Sequence, residues 1–281
     1  MDFIQADGIR THYRIEGSGP ALLMFSPGGF DATFAKWSDL GLYQRIGIMD
    51  YLTAHFTCIE FDRRECGQSG GRLEVLSWSA MARQGAALAT ALGFEQVHVM
   101  GGCLGCAPAA QFALDYPART RSTNLIWPVG GARYRMRNVG RFSEHLNWVA
   151  AQGIEALIAR ALDADVGFAK DALLGPWGGS LRIDADLRDA LAEIDAPRYQ
   201  ALVSGSLNAL FMADSAAGPA PEALMQMRGP RLVIPGDDES HARSAGHFVA
   251  ECLPGCTLIS DAVADQTRER IFHVFDQFYA Q

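Results

Sequence analysis

The chain has 281 residues, a formal net charge of −8 and a hydrophobic content of 49%. This length and this apolar content are enough for one large core, with or without an inserted subdomain. The acidic excess without a basic stripe argues against nucleic acid as a partner. No apolar run approaches the roughly 20 residues that a membrane-spanning helix needs.

The cysteine content indicates a reducing environment. Six cysteines in a chain of this length are too few for a disulfide scaffold, and the first residues lack the basic and apolar blocks of a signal peptide. We therefore expect a cytoplasmic protein with no membrane partner. No second C-x-x-C and no H-x-x-x-H accompanies the one C-x-x-C, so we expect no metal and no cofactor. A small-molecule substrate is the expected partner, and a homodimer is left open.

Apolar runs alternate with helical patterns along the chain. Residues 3–6 and 10–15 predict a hairpin around Asp7-Gly8. The later runs are continuously apolar, which is typical of strands buried on both faces of a parallel sheet: residues 21–25, 57–61, 97–100, 123–127, 231–234 and 256–259. Helices are predicted between them at about residues 77–92, 105–116, 242–252 and 266–279. This alternation predicts an α/β fold with a mostly parallel, doubly wound sheet.

The interval between the sixth and seventh predicted strands contains no clear buried strand. It holds amphipathic pieces at residues 139–151, 154–162 and 185–194 instead, and prolines interrupt its later part. We interpret residues 129–228 as a helical cap and residues 1–128 with 229–281 as the core domain. Such a cap would lie over the carboxyl end of the sheet, where open α/β sheets bind ligands.

The most informative motif is Gly101-Gly102-Cys103-Leu104-Gly105, which follows an apolar strand and opens a helix of small residues. A strand, a glycine-flanked turn and a helix, with a reactive side chain at the apex, form a nucleophile elbow. The glycines permit the sharp turn because a Cβ would clash there. Cys103 is the candidate nucleophile, since a helix N-terminus favours the thiolate. The competing interpretation is a small buried thiol.

Three motifs together resemble the α/β-hydrolase fold family. Gly101-x-Cys103-x-Gly105 is similar to its G-x-nucleophile-x-G elbow, with cysteine where serine is commoner. Residues 25–30 (FSPGGF) resemble its H-G-type oxyanion loop, and residues 61–69 (FDRRECGQS) resemble its D-x-R-G-x-G-x-S loop with one glycine replaced. The similarity covers nearly the whole chain. It implies that fold, with a helical cap inserted after the sixth strand.

Acyl transfer through an anionic intermediate requires hydrogen-bond donors near the nucleophile. The backbone N–H of Leu104 is one expected donor, and the N–H of Gly29 or Phe30 is the other; a plain glycine turn is the alternative interpretation of that loop. Trp127 ends the strand after the elbow and is expected to shape the pocket.

The acid is expected on the loop after the strand at residues 231–234. Asp238 is the candidate, Asp237 and Glu239 are alternatives, and a solvated turn that caps the next helix is the competing interpretation.

The base is less clear from the sequence. In the resembled family the catalytic histidine lies on the loop after the last strand, but residues 260–266 contain no histidine. His241, three residues beyond Asp238, is therefore the candidate base or a substrate contact. His273 on the last helix and His247 on the preceding one have the pattern of helix-face residues.

Four other side chains have weaker claims to function. Cys103 and Cys106 form a C-x-x-C, a redox signature in other folds, although Cys106 is expected to pack into the helix. Arg133 and Arg135 are able to meet an anionic substrate or to lie in solvent. Glu65 is expected to pair with a neighbouring arginine and to hold its loop.

The residues favour a hydrolase that forms an acyl-enzyme on Cys103 with a small ester, thioester, lactone or activated amide. The absent histidine keeps an alternative open: a lyase, isomerase or carbon–carbon bond-cleaving enzyme on the same fold. A non-catalytic receptor or a thiol redox protein is the third hypothesis.

Overall fold

The computed structural model describes residues 2–280 and contains an eight-stranded sheet with helices on both faces. The strands are β1 (Asp2–Ala6), β2 (Ile9–Glu16), β3 (Ala21–Phe25), β4 (Thr57–Phe61), β5 (Val97–Gly102), β6 (Thr120–Ile126), β7 (Arg231–Ile234) and β8 (Thr257–Leu258). Their order is β1-β2-β4-β3-β5-β6-β7-β8. β2 is antiparallel to β1 and β4, and all other pairs are parallel. The carboxyl ends of β3 to β8 therefore lie on one side of the sheet.

The helices cover the sheet and fill the long interval before β7. They are α1 (Lys36–Asp39), α2 (Gly41–Ile46), α3 (Ile48–His55), α4 (Trp78–Ala91), α5 (Cys106–Asp115), α6 (Ala132–Asp163), α7 (Gly178–Leu181), α8 (Ala185–Ala192), α9 (Ala196–Phe211), α10 (Pro221–Leu224), α11 (Arg243–Glu251) and α12 (Arg268–Tyr279). Across residues 2–280, every helix is too short or too polar to cross a lipid bilayer.

The central strands are buried on both faces, which explains their continuous apolar sequences. In β3, Leu23 and Phe25 pack in a cluster with α4, α5 and α11. Leu22 and Met24 point to the opposite face and pack in a cluster with α1, α2, α3 and α12. Successive side chains of a strand alternate between faces, so each face requires an apolar residue at every second position.

The helices α6 to α10, called the helical insertion below, pack on the loops at the carboxyl ends of the strands. Phe30, in the loop after β3, lies 5.6, 5.0 and 6.0 Å between ring centroids from Phe142, Phe168 and Phe211 of the insertion. Leu104, directly after β5, is fully buried in the same apolar cluster. The insertion therefore covers the edge of the sheet that is formed by the carboxyl ends of the strands, where the elbow lies.

The predicted fold class is confirmed, and the strands at residues 21–25, 57–61 and 231–234 begin and end where predicted. Two predicted helices, at residues 139–151 and 154–162, are parts of α6, which bends at Gly153. No helix is predicted from the sequence at the position of α9. Pro197 indicates an interruption there, but it occupies the first turn of α9, where proline is tolerated. The division into core and cap domains at residues 128 and 229 stays a prediction.

Candidate active site

Cys103 lies at the apex of the turn between β5 and α5. Its φ of +54° is in the left-handed region, which costs a non-glycine residue roughly 1–3 kcal/mol unless its surroundings enforce it. A Cβ added at Gly101 would lie 2.6 Å from the Cα of Cys106, and one at Gly105 would overlap the carbonyl group of Phe25. The glycines therefore allow the tight turn, which leaves the Cys103 thiol partly accessible.

Substitution of Gly105 tests this packing. We expect Gly105→Ala to lower the free energy of unfolding by about 3 kcal/mol or more, because the added methyl group meets rigid backbone. Gly140→Ala is the matched control, since a Cβ at Gly140 in α6 meets no atom within 4 Å; helix propensity predicts a gain of about 0.5–1 kcal/mol. Equilibrium urea unfolding measures both, and equal stabilities of the two variants would contradict the proposed turn.

His241, on the loop after β7, lies between Asp238 and Cys103. Its Nδ1 is 2.8 and 2.9 Å from the two carboxylate oxygens of Asp238. The same carboxylate accepts the backbone N–H groups of Ser240 and His241, at 2.8 and 3.0 Å. The opposite ring nitrogen, Nε2, is buried and makes no hydrogen bond of ordinary geometry within residues 2–280; the group that interacts with it is the Cys103 thiol. The His241 imidazole thus lies between the Asp238 carboxylate and the Cys103 thiol.

The charges of these three groups stabilise an ion pair. Burial alone would raise the pKa of the Cys103 thiol. The polar interaction with His241 and its charge, together with the backbone N–H groups of Gly28 and Leu104, outweigh burial and lower that pKa. Burial would likewise lower the pKa of His241, whereas the hydrogen bond with Asp238 and the polar interaction with Cys103 raise it to about 9. The hydrogen bond with His241 also holds the pKa of Asp238 well below its usual range. The lowered pKa of Cys103 and the raised pKa of His241 both favour a thiolate next to an imidazolium.

Backbone donors surround the sulfur. The N–H groups of Gly28 and Leu104 hydrogen-bond Cys103 and favour its thiolate. Gly29, a predicted oxyanion donor, follows in the same loop with a φ of +63°. A Cβ added there would meet no atom within 4 Å, so open space lies beside it. Phe30, the other predicted donor, turns its ring into the helical insertion.

Trp127 and Gln266 lie behind His241. The Trp127 ring centroid is 5.3 Å from that of His241, and its indole Nε1–H donates to Oε1 of Gln266 at 2.9 Å. Gln266 is fully buried between β8 and α12, and its Nε2 donates to the Pro235 carbonyl at 2.8 Å. The loop that lacks the expected histidine therefore carries a glutamine that fixes the tryptophan against His241.

The remaining candidates have other hydrogen-bond partners or lie at the surface. Cys106 is buried and donates its thiol to the carbonyls of Gly101 and Ile126, at 3.1 and 3.3 Å, and burial raises its pKa well above the usual value. Nε of Arg64 donates to both carboxylate oxygens of Glu65, at 3.0 and 3.1 Å. His247 and His273 are exposed.

The other arginines and acids around the loop after β7 are solvated. Arg133 donates to Glu239 at 3.0 Å, with both side chains mostly exposed. Arg135 donates to the Met212 carbonyl, and Asp237 is exposed. In residues 2–280, no group of three or more histidine, cysteine, aspartate or glutamate side chains is arranged to hold a metal ion.

Two residues near the site are not predicted from the sequence to have a role there. Gln266 gives no signal, because a polar residue in a loop before a helix is expected in solvent. Arg63 carries a weak one: it precedes the arginine of the D-x-R motif, and the structure buries it beside Gly29.

Comparisons with known proteins agree with this architecture. A family model described as alpha/beta hydrolase fold matches residues 21–129. The chain is 34% identical over 128 residues to the dihydrolipoyllysine-residue acetyltransferase component of the acetoin cleaving system of Cupriavidus necator, a match that covers 46% of this chain and 32% of that protein. It is 31% identical over 122 residues to a 2-hydroxy-6-oxo-6-phenylhexa-2,4-dienoate hydrolase of Burkholderia cepacia, covering 43% of this chain and 41% of that one. The matches thus span less than half of these relatives.

A solved structure extends the similarity to the whole chain. A hydrolase from Pseudomonas aeruginosa PA01 superimposes with a TM-score of 0.64 at 19% identity, over 100% of this chain and 98% of the other. The sheet order, the elbow at the end of β5 and this full-length match lead to one conclusion: the chain has the α/β-hydrolase fold.

Proposed function

We propose that this protein is a hydrolase that forms an acyl-enzyme on Cys103 with a small ester, thioester, lactone or activated amide. The observation that carries the proposal is His241, whose Nδ1 is held by Asp238 and whose charge favours the thiolate of Cys103. The hydrolases among its relatives support the general reaction class.

Acylation begins from the thiolate–imidazolium pair. The Cys103 thiolate attacks the substrate carbonyl carbon, and the carbonyl oxygen takes up the negative charge. The N–H of Leu104 and an N–H of the loop containing Gly28 and Gly29 stabilise that oxyanion. His241 then donates its Nε2 proton to the leaving group, which departs as the carbonyl re-forms and leaves a thioester on Cys103.

Deacylation uses the same imidazole with the opposite proton transfer. Acylation removes the thiolate charge, which is one cause of the raised pKa of His241. The pKa therefore falls, and the neutral imidazole accepts a proton from the attacking water. Asp238 keeps Nδ1 protonated, so that Nε2 is the nitrogen that exchanges the proton. Hydrolysis of the thioester then regenerates the Cys103 thiolate and the imidazolium.

In this mechanism Trp127 and Gln266 position the base. Asp238 and His241 lie on one loop, so the imidazole needs support from outside that loop. The Trp127 ring, fixed through its hydrogen bond with Gln266, provides it. We propose this positioning role for Trp127, whose indole N–H is already engaged by Gln266.

The formation of an acyl adduct tests the proposal. Mixed with excess 4-nitrophenyl acetate, the protein is expected to release a burst of one nitrophenolate per site before steady turnover. Acid quenching followed by intact-mass and peptide analysis is expected to place one acetyl group on Cys103. Turnover with no adduct at any quench time, together with resistance to thiol alkylation, would instead support the lyase or carbon–carbon bond-cleaving alternative.

A further inference from the structure

Arg63, which contacts the loop containing Gly29, is a buried arginine with unpaired N–H groups. It lies directly after Asp62 at the carboxyl end of β4 and is 1% exposed. Its Nη2 donates to the Gly29 carbonyl. Its Nε and Nη1 are buried and have no hydrogen-bond partner in residues 2–280. A guanidinium with most of its N–H groups buried and unpaired is costly to desolvate.

No nearby carboxylate in the described part of the chain forms an ion pair with Arg63, although the Arg63 charge opposes the rise that burial causes in the pKa of Glu65. Asp62 accepts hydrogen bonds from His12 and from the backbone of Phe34 and Gln68. Glu65 pairs with Arg64, and Asp31 pairs with Lys36. No ion pair within residues 2–280 includes Arg63, whereas its neighbour Arg64 pairs with two glutamates. Arg63 is thus placed to receive an anion from outside the chain.

The position of Arg63 puts that anion in the active site. Its acceptor Gly29 belongs to the loop that reaches the Cys103 sulfur, and open space lies beside the Gly29 Cα. Burial raises the pKa of the Tyr134 phenol, the Cys103 thiolate raises it further and the Arg63 guanidinium opposes the rise. Both charged groups therefore act on the same hydroxyl, under the helical insertion.

We propose that Arg63 binds a carboxylate of the substrate, so that the preferred substrates are short acyl compounds that carry a negative charge. The identification of the ligand as an acyl substrate rests on the proposed function; the binding of a carboxylate by Arg63 does not. A guanidinium matches a carboxylate with two parallel N–H donors, and Nε with one Nη nitrogen forms such a pair. The Gly29 carbonyl accepts one N–H of Nη2, which leaves the second N–H of that nitrogen for the pair.

Alkylation of Cys103 tests carboxylate binding without requiring hydrolysis. Iodoacetate and iodoacetamide differ by a carboxylate and an amide, and peptide analysis measures the rate of each at Cys103. Relative to the ratio for a free thiol, we expect the wild-type protein to favour iodoacetate by roughly 10–100-fold. Because the His241 imidazolium also attracts iodoacetate, the decisive quantity is the change on mutation. Arg63→Gln is expected to lower the preference at least about fivefold, and Arg63→Lys to retain part of it.

Arg133→Gln is the matched control, since Arg133 is exposed and pairs with Glu239; it is expected to leave the preference unchanged. A wild-type ratio equal to that of a free thiol overturns the inference even if the Arg63 variants fail to fold. So does a preference that Arg63→Gln leaves intact, in which case the guanidinium serves the loop or a buried water only.

A substrate pair separates this inference from the proposed function. The wild-type kcat/KM is expected to be higher for 4-nitrophenyl hydrogen succinate than for 4-nitrophenyl pentanoate, and Arg63→Gln is expected to lower that ratio. Selective alkylation by iodoacetate without turnover of either ester would support Arg63 as an anion site and contradict the hydrolase. Turnover of both esters with no preference would support the hydrolase and contradict the anion site.

Discussion

We expect Cys103→Ala to lower kcat/KM for an activated acyl ester by at least about 10³-fold and to abolish the nitrophenolate burst. The thiolate forms the bond that defines the intermediate, so its loss leaves only the oxyanion donors and the binding site, whose residual catalysis in comparable systems is small. The alanine side chain fits the space of the thiol, so thermal unfolding is expected to change little. Steady-state and stopped-flow assays with 4-nitrophenyl acetate measure both effects.

The control must remove a thiol without touching the elbow. Cys256 is partly accessible and donates to the Ala250 carbonyl at 3.4 Å, on the far side of β7 from Cys103. Cys256→Ala is expected to retain the wild-type kcat/KM within about twofold, since surface substitutions away from a site have small effects. Full turnover by Cys103→Ala, with Cys256→Ala equally active, would show that the reaction proceeds without the thiol and would exclude the acyl-enzyme.

The sheet could be predicted because a strand that is buried on both faces has a continuously apolar sequence. Residues of β3 alternate between two apolar clusters, so every position of the strand must be apolar. The helical insertion was harder to predict. Its helices bury one side against one another and against Phe30, and their boundaries depend on local caps, such as the Asp195 side chain at the start of α9.

The site could be predicted in part, because the backbone dictates some positions and not others. Gly101 and Gly105 identify the elbow, since only glycine fits there. Asp238 and His241 follow from their place after a buried strand. The position of Gln266 depends on contacts with Trp127 and Pro235, which are 139 and 31 residues away in sequence. The burial of Arg63 likewise results from long-range packing, which local sequence patterns do not contain.

The compact loop of Asp238 and His241 explains how the proposed mechanism has a base although the loop between β8 and α12 contains no histidine. Asp238 and His241 are three residues apart, and the carboxylate caps the backbone N–H of His241 as well as binding its ring. A Cβ added at Gly236 would lie 2.6 Å from the Cβ of His241 and 3.0 Å from the Trp127 ring. The imidazole is therefore confined by backbone on one side and by tryptophan on the other, which is the preorganisation that proton transfer needs.

Replacement of His241 is expected to affect both catalysis and the ionisation of Cys103. His241→Ala removes the general acid and base, which contributes about 10²–10⁴ in rate. It also removes the polar interaction and the positive charge that lower the pKa of the Cys103 thiol. Burial, the remaining major influence, raises that pKa. We therefore expect the loss of His241 to raise the pKa of the Cys103 thiol and to lower its thiolate fraction at pH 7.

The pH dependence of Cys103 alkylation measures this ionisation directly. In the wild-type protein the ion pair exists above the lowered pKa of the thiol and below the raised pKa of His241, about 9. Alkylation by iodoacetamide is therefore expected to be fast at neutral pH. Ester hydrolysis, which needs the imidazolium as the acid for acylation, is expected to decline above about pH 9. In His241→Ala, the alkylation rate is expected to rise only at alkaline pH, toward or above the ordinary thiol pKa.

His247→Ala is the matched control, because His247 is an exposed histidine on α11 and is not among the groups that shift the pKa of the Cys103 thiol. Its alkylation profile is expected to coincide with that of the wild-type protein. If His241→Ala kept the wild-type profile as well, then the backbone N–H groups of Gly28 and Leu104 alone would be enough to stabilise the thiolate. His241 would then act only in proton transfer, and its substitution would lower kcat without moving the pH at which Cys103 becomes reactive.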